Sequence, residues 1–178
     1  ERLRARAVAT ATGAAAPSAP SASPATAARR PEPTAQAVVR VAADSTARAP
    51  DGRSWATAYA DLQAALDLAW RSDGEVWVAA GVYRPTEGAE RDRAFRLRPG
   101  VALYGGFDGT EEKRGQRDPA AHVTTLSGDL GRVGDPRDNS YHVLIGAEYA
   151  RLDGFTITGG NADGETYDAK GGALVNYR

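Results

Sequence analysis

The chain has 178 residues and a mass of 18.7 kDa, enough for one domain of ordinary size and too little for two. It contains no Cys and no Met, which excludes disulfides, thiolate metal sites and a cysteine nucleophile. A net charge of −1 argues against nucleic acid as the main partner, and no apolar run is long enough to predict a transmembrane segment.

These averages conceal two unlike parts. Ala, Pro, Ser and Thr fill 21 of the 24 positions from residue 5 to 28, so this stretch has little to bury against its ordering entropy. Residues 1–36 therefore read as a disordered linker or leader remnant. The basic start, Arg2, Arg4 and Arg6, suggests a signal peptide. The run that follows is too poor in large apolar side chains, and a linker is the better reading. The chain begins at Glu1, without an initiator, and reads as processed or as a fragment.

From Val38 onward short β-prone runs take over. Val38–Val41 is the first, followed by a turn at Pro50-Asp51-Gly52. Leu62, Ala65, Leu66, Ala69 and Trp70 fall on one helical stripe, with Thr57 or Ser54 as N-cap and Asp73-Gly74 as the stop. Strands are then predicted at 75–80 (ending at Gly81-Val82-Tyr83), 94–97, 101–104, 123–126, 141–145, 152–158 and 173–175. Nineteen of the 20 glycines lie beyond residue 51, most of them at the ends of these runs. Corners of this kind suit a solenoid, and the 18-residue spacing of Phe155 and Ala173 suggests one coil of a parallel β-helix. An antiparallel sandwich is the competing architecture. Parallel pairing of the strand at Phe155 with the strand at Ala173 is what the solenoid requires.

Five segments carry a family resemblance: 54–66 (Ser-Trp-Ala-Thr-Ala-Tyr-Ala-Asp-Leu-Gln-Ala-Ala-Leu), 75–85 (Glu-Val-Trp-Val-Ala-Ala-Gly-Val-Tyr-Arg-Pro), 101–111 (Val-Ala-Leu-Tyr-Gly-Gly-Phe-Asp-Gly-Thr-Glu), Leu126-Ser-Gly-Asp129 and 152–162 (Leu-Asp-Gly-Phe-Thr-Ile-Thr-Gly-Gly-Asn-Ala). In order and spacing they resemble the N-terminal cap and first coils of secreted bacterial right-handed parallel β-helix proteins of the pectin-lyase-like superfamily. The resemblance spans about Val38 to Arg178. It implies a mainly β solenoid begun by a capping α-helix, over residues 37–178, with further coils beyond residue 178. It also implies secretion or display at the cell surface. The inward residues are then expected to be Val76, Val78, Val82, Leu103, Leu126, Ile145, Phe155, Ile157 and Leu174. A solenoid cut at residue 178 is expected to be marginally stable and prone to associate.

The chemistry is sparse. Asp135, Asp138 and Asn139 in one polar loop, and Asp163, Glu165 and Asp168 in another, are oxygen donors of the type calcium takes, yet neither loop has calcium-loop spacing. Asp163 and Asp168 are the metal candidates, calcium the possible cofactor, and both loops read first as solvated acidic turns. His142 reads as a structural histidine before a catalytic base, and Trp55, Trp70 and Trp77 as cap and core packing before sugar platforms. Relatives of the pectate-lyase type use calcium-binding acids and a basic residue on later coils. No cluster here matches, so no catalytic residue carries over and enzyme status stays open. The function expected is a surface module with a structural, adhesive or carbohydrate-binding role and polysaccharide or cell-surface glycan as partner. The alternative is the N-terminal part of a polysaccharide lyase or glycoside hydrolase with its site beyond residue 178.

Overall fold

A computed structural model describes residues 37–176. The expected linker at 1–36 lies outside the described residues. The strands are β1 (Val38–Val41), β2 (Glu75–Ala79), β3 (Gly81–Tyr83), β4 (Phe95–Arg96), β5 (Ala102–Phe107), β6 (Thr124–Ser127), β7 (Leu144–Ile145), β8 (Arg151–Asp153), β9 (Phe155–Thr158) and β10 (Leu174–Val175). One α-helix, α1 (Leu62–Arg71), precedes β2, and short 3-10 turns punctuate the loops. The described residues are mainly β.

The strands form three sheets, ordered β1-β2-β5-β8, β3-β6-β9 and β4-β7-β10, and every strand pair is parallel. From β2 onward the chain visits the first, second and third sheet in turn, three times over. Parallel pairing removes the antiparallel sandwich. It does not follow the 18-residue spacing, however. β9 pairs with β6, Phe155 opposite Thr124, and β10 pairs with β7, Leu174 opposite Leu144. Phe155 and the strand that follows Ala173 therefore lie in different sheets, and the spacing is a step between neighbours along the chain, not a repeat.

Register stacks the apolar side chains into columns. Val39, Val76, Leu103 and Leu152 lie opposite one another across the first sheet, and Tyr83, Leu126 and Ile157 across the second. These columns join α1 in one core. The helix buries Leu62, Ala65, Leu66 and Ala69 almost completely. Trp70 falls off this stripe and is 53% exposed. Neither Ser54 nor Thr57 caps α1. Asp61 does, accepting from the Gln63 and Ala64 N–H groups at 2.8 and 3.1 Å. Ser54 and Thr57 instead form a capping box on the 3-10 turn Trp55–Thr57. Asp73, at φ 51°, and Gly74, whose N–H reaches the Ala69 carbonyl, end the helix as expected.

Several other expectations change. Val82 is half exposed because Tyr83, one residue on, takes the inward place in β3. Leu174 is 38% exposed, since no described strand covers its outer side. Ile145 is buried, but Val143 and Leu144 supply the central core there. The run 152–158 divides at Gly154 (φ 82°) into β8 and β9, which turn into different sheets. Gly105 and Gly106 do not close a strand but lie inside β5. Their size is required by close approach: a Cβ on Gly105 would lie 2.5 Å from the Gly154 carbonyl oxygen.

Candidate functional site

Three groupings of polar and aromatic side chains can be built from this frame. The first lies on the outer face of the first sheet. Strand alternation places Arg40, Trp77, Tyr104 and Asp153 in one row across β1, β2, β5 and β8. The Trp77 ring stacks on Phe107 with centroids 4.8 Å apart, and the Arg40 guanidinium lies 5.2 Å from Trp77 and 5.8 Å from Trp55. Three further guanidiniums, of Arg114, Arg117 and Arg151, surround the Tyr104 ring at 4.6, 5.2 and 5.4 Å. Buried Glu75 accepts from Trp77 Nε1 at 2.7 Å and from Arg114 Nη1 at 2.8 Å. Hydrogen bonds from Arg117, then Arg151, hold the Asp153 carboxyl below its ordinary range. This layer closes a second small core of Trp77, Tyr104 and Phe107. Trp77 is thus committed to packing, as is Trp55, whose Nε1 donates to the Glu111 carbonyl at 3.0 Å. Trp70 alone of the three is largely exposed, with Arg98 5.8 Å from its ring.

The second grouping is a cleft of about 380 Å³ between the start of α1 and the segment after β3. Asp61, Arg84, Thr86 and Glu87 contribute polar groups, and Tyr83 and Phe95 form part of its lining. Gly81 N–H bonds the Val123 carbonyl, so ladder alternation turns the N–H and C=O of Val82 toward the open edge of β3. The Tyr83 hydroxyl fixes one wall. It accepts from the Ala43 N–H at 3.1 Å and donates to the Ala79 carbonyl at 3.0 Å, and burial raises its pKa. Arg84 is held in place by donating from Nε to the Asp129 carbonyl at 2.7 Å. Volume and mixed polarity fit a small polar ligand such as a sugar residue.

The third grouping is the pair of acidic loops. Asp163 and Asp168 are not brought together as ligands of one ion. Asp163 is taken by Arg91, whose hydrogen bond holds its carboxyl below the ordinary range, and also accepts from Asn161 Nδ2 at 2.9 Å. Asp168 lies 3.6 Å from Nε2 of buried His142, whose Nδ1 is 3.2 Å from the Gly171 carbonyl oxygen. Asp135 is paired with Arg137, whose hydrogen bonds pull its carboxyl down to about 2. Among the described residues no three His, Asp or Glu side chains gather to hold a metal. Asn161 bonds the backbone of a neighbouring loop, its Nδ2 donating to the Pro136 carbonyl at 2.7 Å.

Sequence reasoning missed Arg91, Arg117 and Gln63. Arg91 ties three successive loops: Nε donates to the Asn139 carbonyl, Nη2 to the Asn161 carbonyl and to Asp163, and the guanidinium lies 4.3 Å from the Tyr141 ring. No local pattern marks such a residue, because its partners lie far along the chain. No protein-family model matches the chain, and no curated protein or solved structure matches it.

Proposed function

We propose that the chain is the N-terminal cap and opening coils of a right-handed parallel β-helix, with residues 1–36 as its linker. In this reading it serves as an extracellular or cell-surface module that touches polysaccharide through the cleft beside β3. The observation that carries it is the repeated visit to three parallel sheets, with side chains in register from one round to the next. Right-handedness follows from the strong preference of parallel crossovers, about 98% of cases. The glycan is supported by the cleft itself: a carboxylate, a hydroxyl, a guanidinium and an open strand edge within a sugar-sized space.

The test is affinity electrophoresis of the 178-residue chain in gels holding neutral or acidic polysaccharides, with a parallel assay for released reducing ends. Retardation by at least one polysaccharide, weakened about tenfold in Glu87→Ala and Thr86→Ala without loss of melting temperature, is expected. A panel that retards nothing would remove the glycan role and leave a structural module. Release of reducing ends would transfer the assignment to a hydrolase or lyase.

A further inference from the structure

The strands that open the three sheets, β1, β3 and β4, differ at their outer edges. The edge of β1 is covered by backbone, with Arg40 N–H donating to the Gly52 carbonyl and Tyr59 N–H to the Arg40 carbonyl. The edge of β4 is covered by one side chain. Gln63 Oε1 accepts from Arg96 N–H at 2.8 Å, and Gln63 Nε2 donates to the Arg96 carbonyl at 3.2 Å. β3 has β6 on one side and no strand on the other. Gly81 N–H donates to the Val123 carbonyl in that ladder, so the N–H and C=O of the next residue, Val82, point together to the open side. No described residue bonds either group there. Half-exposed Val82 lines the cleft of about 380 Å³, with Ala60, Asp61 and Leu62 from the segment that leads into Gln63, and Phe95 next to Arg96. One edge is thus filled by an amide, and its neighbour opens on a cavity.

The N–H and C=O of one residue call for an acceptor and a donor side by side, as the Gln63 carboxamide provides for Arg96. A carboxylate offers two acceptors and no donor. A trans secondary amide, such as an acetamido group, points its N–H and C=O in opposite directions. Two hydroxyls on adjacent carbons match, one donating to the carbonyl while the other accepts from the N–H. The charge of the cleft agrees. Asp61 and Glu87 outnumber Arg84 in its lining, which disfavours an acidic sugar. We propose that the cleft takes a neutral polysaccharide and reads it by a vicinal diol bound to the N–H and C=O of Val82. This rests on the glycan reading above and narrows it to sugars that keep two adjacent hydroxyls free. Linkage then decides binding. A 1,6- or 1,4-linked glucan keeps adjacent ring hydroxyls on every residue, whereas a 1,3-linked glucan keeps none within its chain.

The 178-residue chain would be run by affinity electrophoresis in gels holding dextran (1,6-linked), soluble starch (1,4-linked) or laminarin (1,3-linked), and in dextran whose diols periodate has cleaved and borohydride reduced. Retardation by dextran or starch is expected, about tenfold weaker with laminarin and with the oxidised dextran. Val82→Pro removes the N–H and leaves the ladder bonds to β6, since proline is tolerated on an open edge. It should weaken retardation about tenfold at unchanged melting temperature. If Val82→Pro does not fold, the Val82 amide resonance of the unmodified chain takes its place, and it should move when isomaltotriose is added. Four results overturn the inference and leave the glycan reading standing: laminarin equal to dextran and starch, retardation that survives Val82→Pro, a Val82 resonance that stays still, or retardation by other polysaccharides but by neither dextran nor starch. No retardation by any polysaccharide, neutral or acidic, overturns both.

Discussion

The first and last layers of the stack are made of similar strands and finished quite differently. At the first layer, β1 is covered along its outer edge. Arg40 N–H donates to the Gly52 carbonyl, Tyr59 N–H to the Arg40 carbonyl and Ala42 N–H to the Tyr59 carbonyl, each at 2.9 Å. The edge of β4 is closed by a side chain: Gln63 on α1 accepts from Arg96 N–H at 2.8 Å and donates to the Arg96 carbonyl at 3.2 Å. Its carboxamide supplies both bonds a neighbouring strand would have made. At the last layer, β8, β9 and β10 each have a strand partner on one side only among the described residues, and most of their residues stay partly or fully exposed. The difference teaches that burial here is conferred by the neighbouring layer and not by the strand's own sequence. Leu144 and Leu174 stand in one column, yet the first is fully buried and the second 38% exposed.

The sharpest way to break this comparison uses another single column. Leu103 is fully buried between Val76 and Leu152, whereas Leu152, at the last layer, is half-buried. Leu103→Ala should cost about 2.7–5 kcal/mol by urea unfolding, as a cavity in a core that cannot collapse. Leu152→Ala should cost about 1 kcal/mol, since solvent already reaches the site. Equal losses would mean that the last layer is as firmly packed as the middle.

Gln63→Ala tests the finished end. It removes two exposed hydrogen bonds to the Arg96 backbone, which water can partly replace, and should cost about 1 kcal/mol. Gln63→Glu keeps the acceptor and loses the donor, so it should fall between. If Gln63→Ala is neutral, the amide is incidental to the edge. Asp61→Ala, which strips the helix cap, should cost about 1 kcal/mol in the same assay.

At the last layer the expected effect concerns association. Three one-sided strands invite pairing with another chain. Light scattering should show concentration-dependent association, and Thr156→Lys on exposed β9 should weaken it while leaving the melting temperature within about 1 °C. A monomer at all concentrations would show that the last layer protects itself.

How much of this was legible in the sequence follows from what each feature depends on. Strand positions, the helix and its stop were readable, because period and punctuation are local. The cap residue was not: Ser54, Thr57 and Asp61 all suit an N-cap, and only the 3-10 turn at 55–57 decides which helix each one serves. The coil repeat is not legible in spacing because loops of unequal length separate the layers, so Glu75 faces Ala102 but Ala102 faces Arg151. The acidic loops are legible as oxygen-rich, but nothing in the chain's order reveals that Arg91, 72 residues away, takes up Asp163. Long-range arginine partners carry no sequence pattern of their own.

Acid should separate the two ends by the smallest effect. Asp67 at the first layer is held below its ordinary pKa by Arg98, and Asp153 and Asp163 at the last by Arg117 and Arg91. A depressed folded pKa contributes stability above the unfolded value, about 3.9, and loses it as pH falls through the folded value. These pairs therefore predict a flat urea midpoint from pH 7 to about 5 and a decline below about 4. Hydrogen exchange should locate the loss. The helix keeps its apolar stripe under the first layer when the Asp67 pair is gone, so amides of 62–71 should stay protected. The last layer buries Leu152, Phe155 and Ile157 only in part, so once its ion pairs are gone amides of 151–163 should open first. Asp153→Asn should bring that opening to neutral pH without shifting the exchange of α1. Equal loss of protection in both segments, or a midpoint that rises on acidification, would show that cover and not charge holds both ends alike.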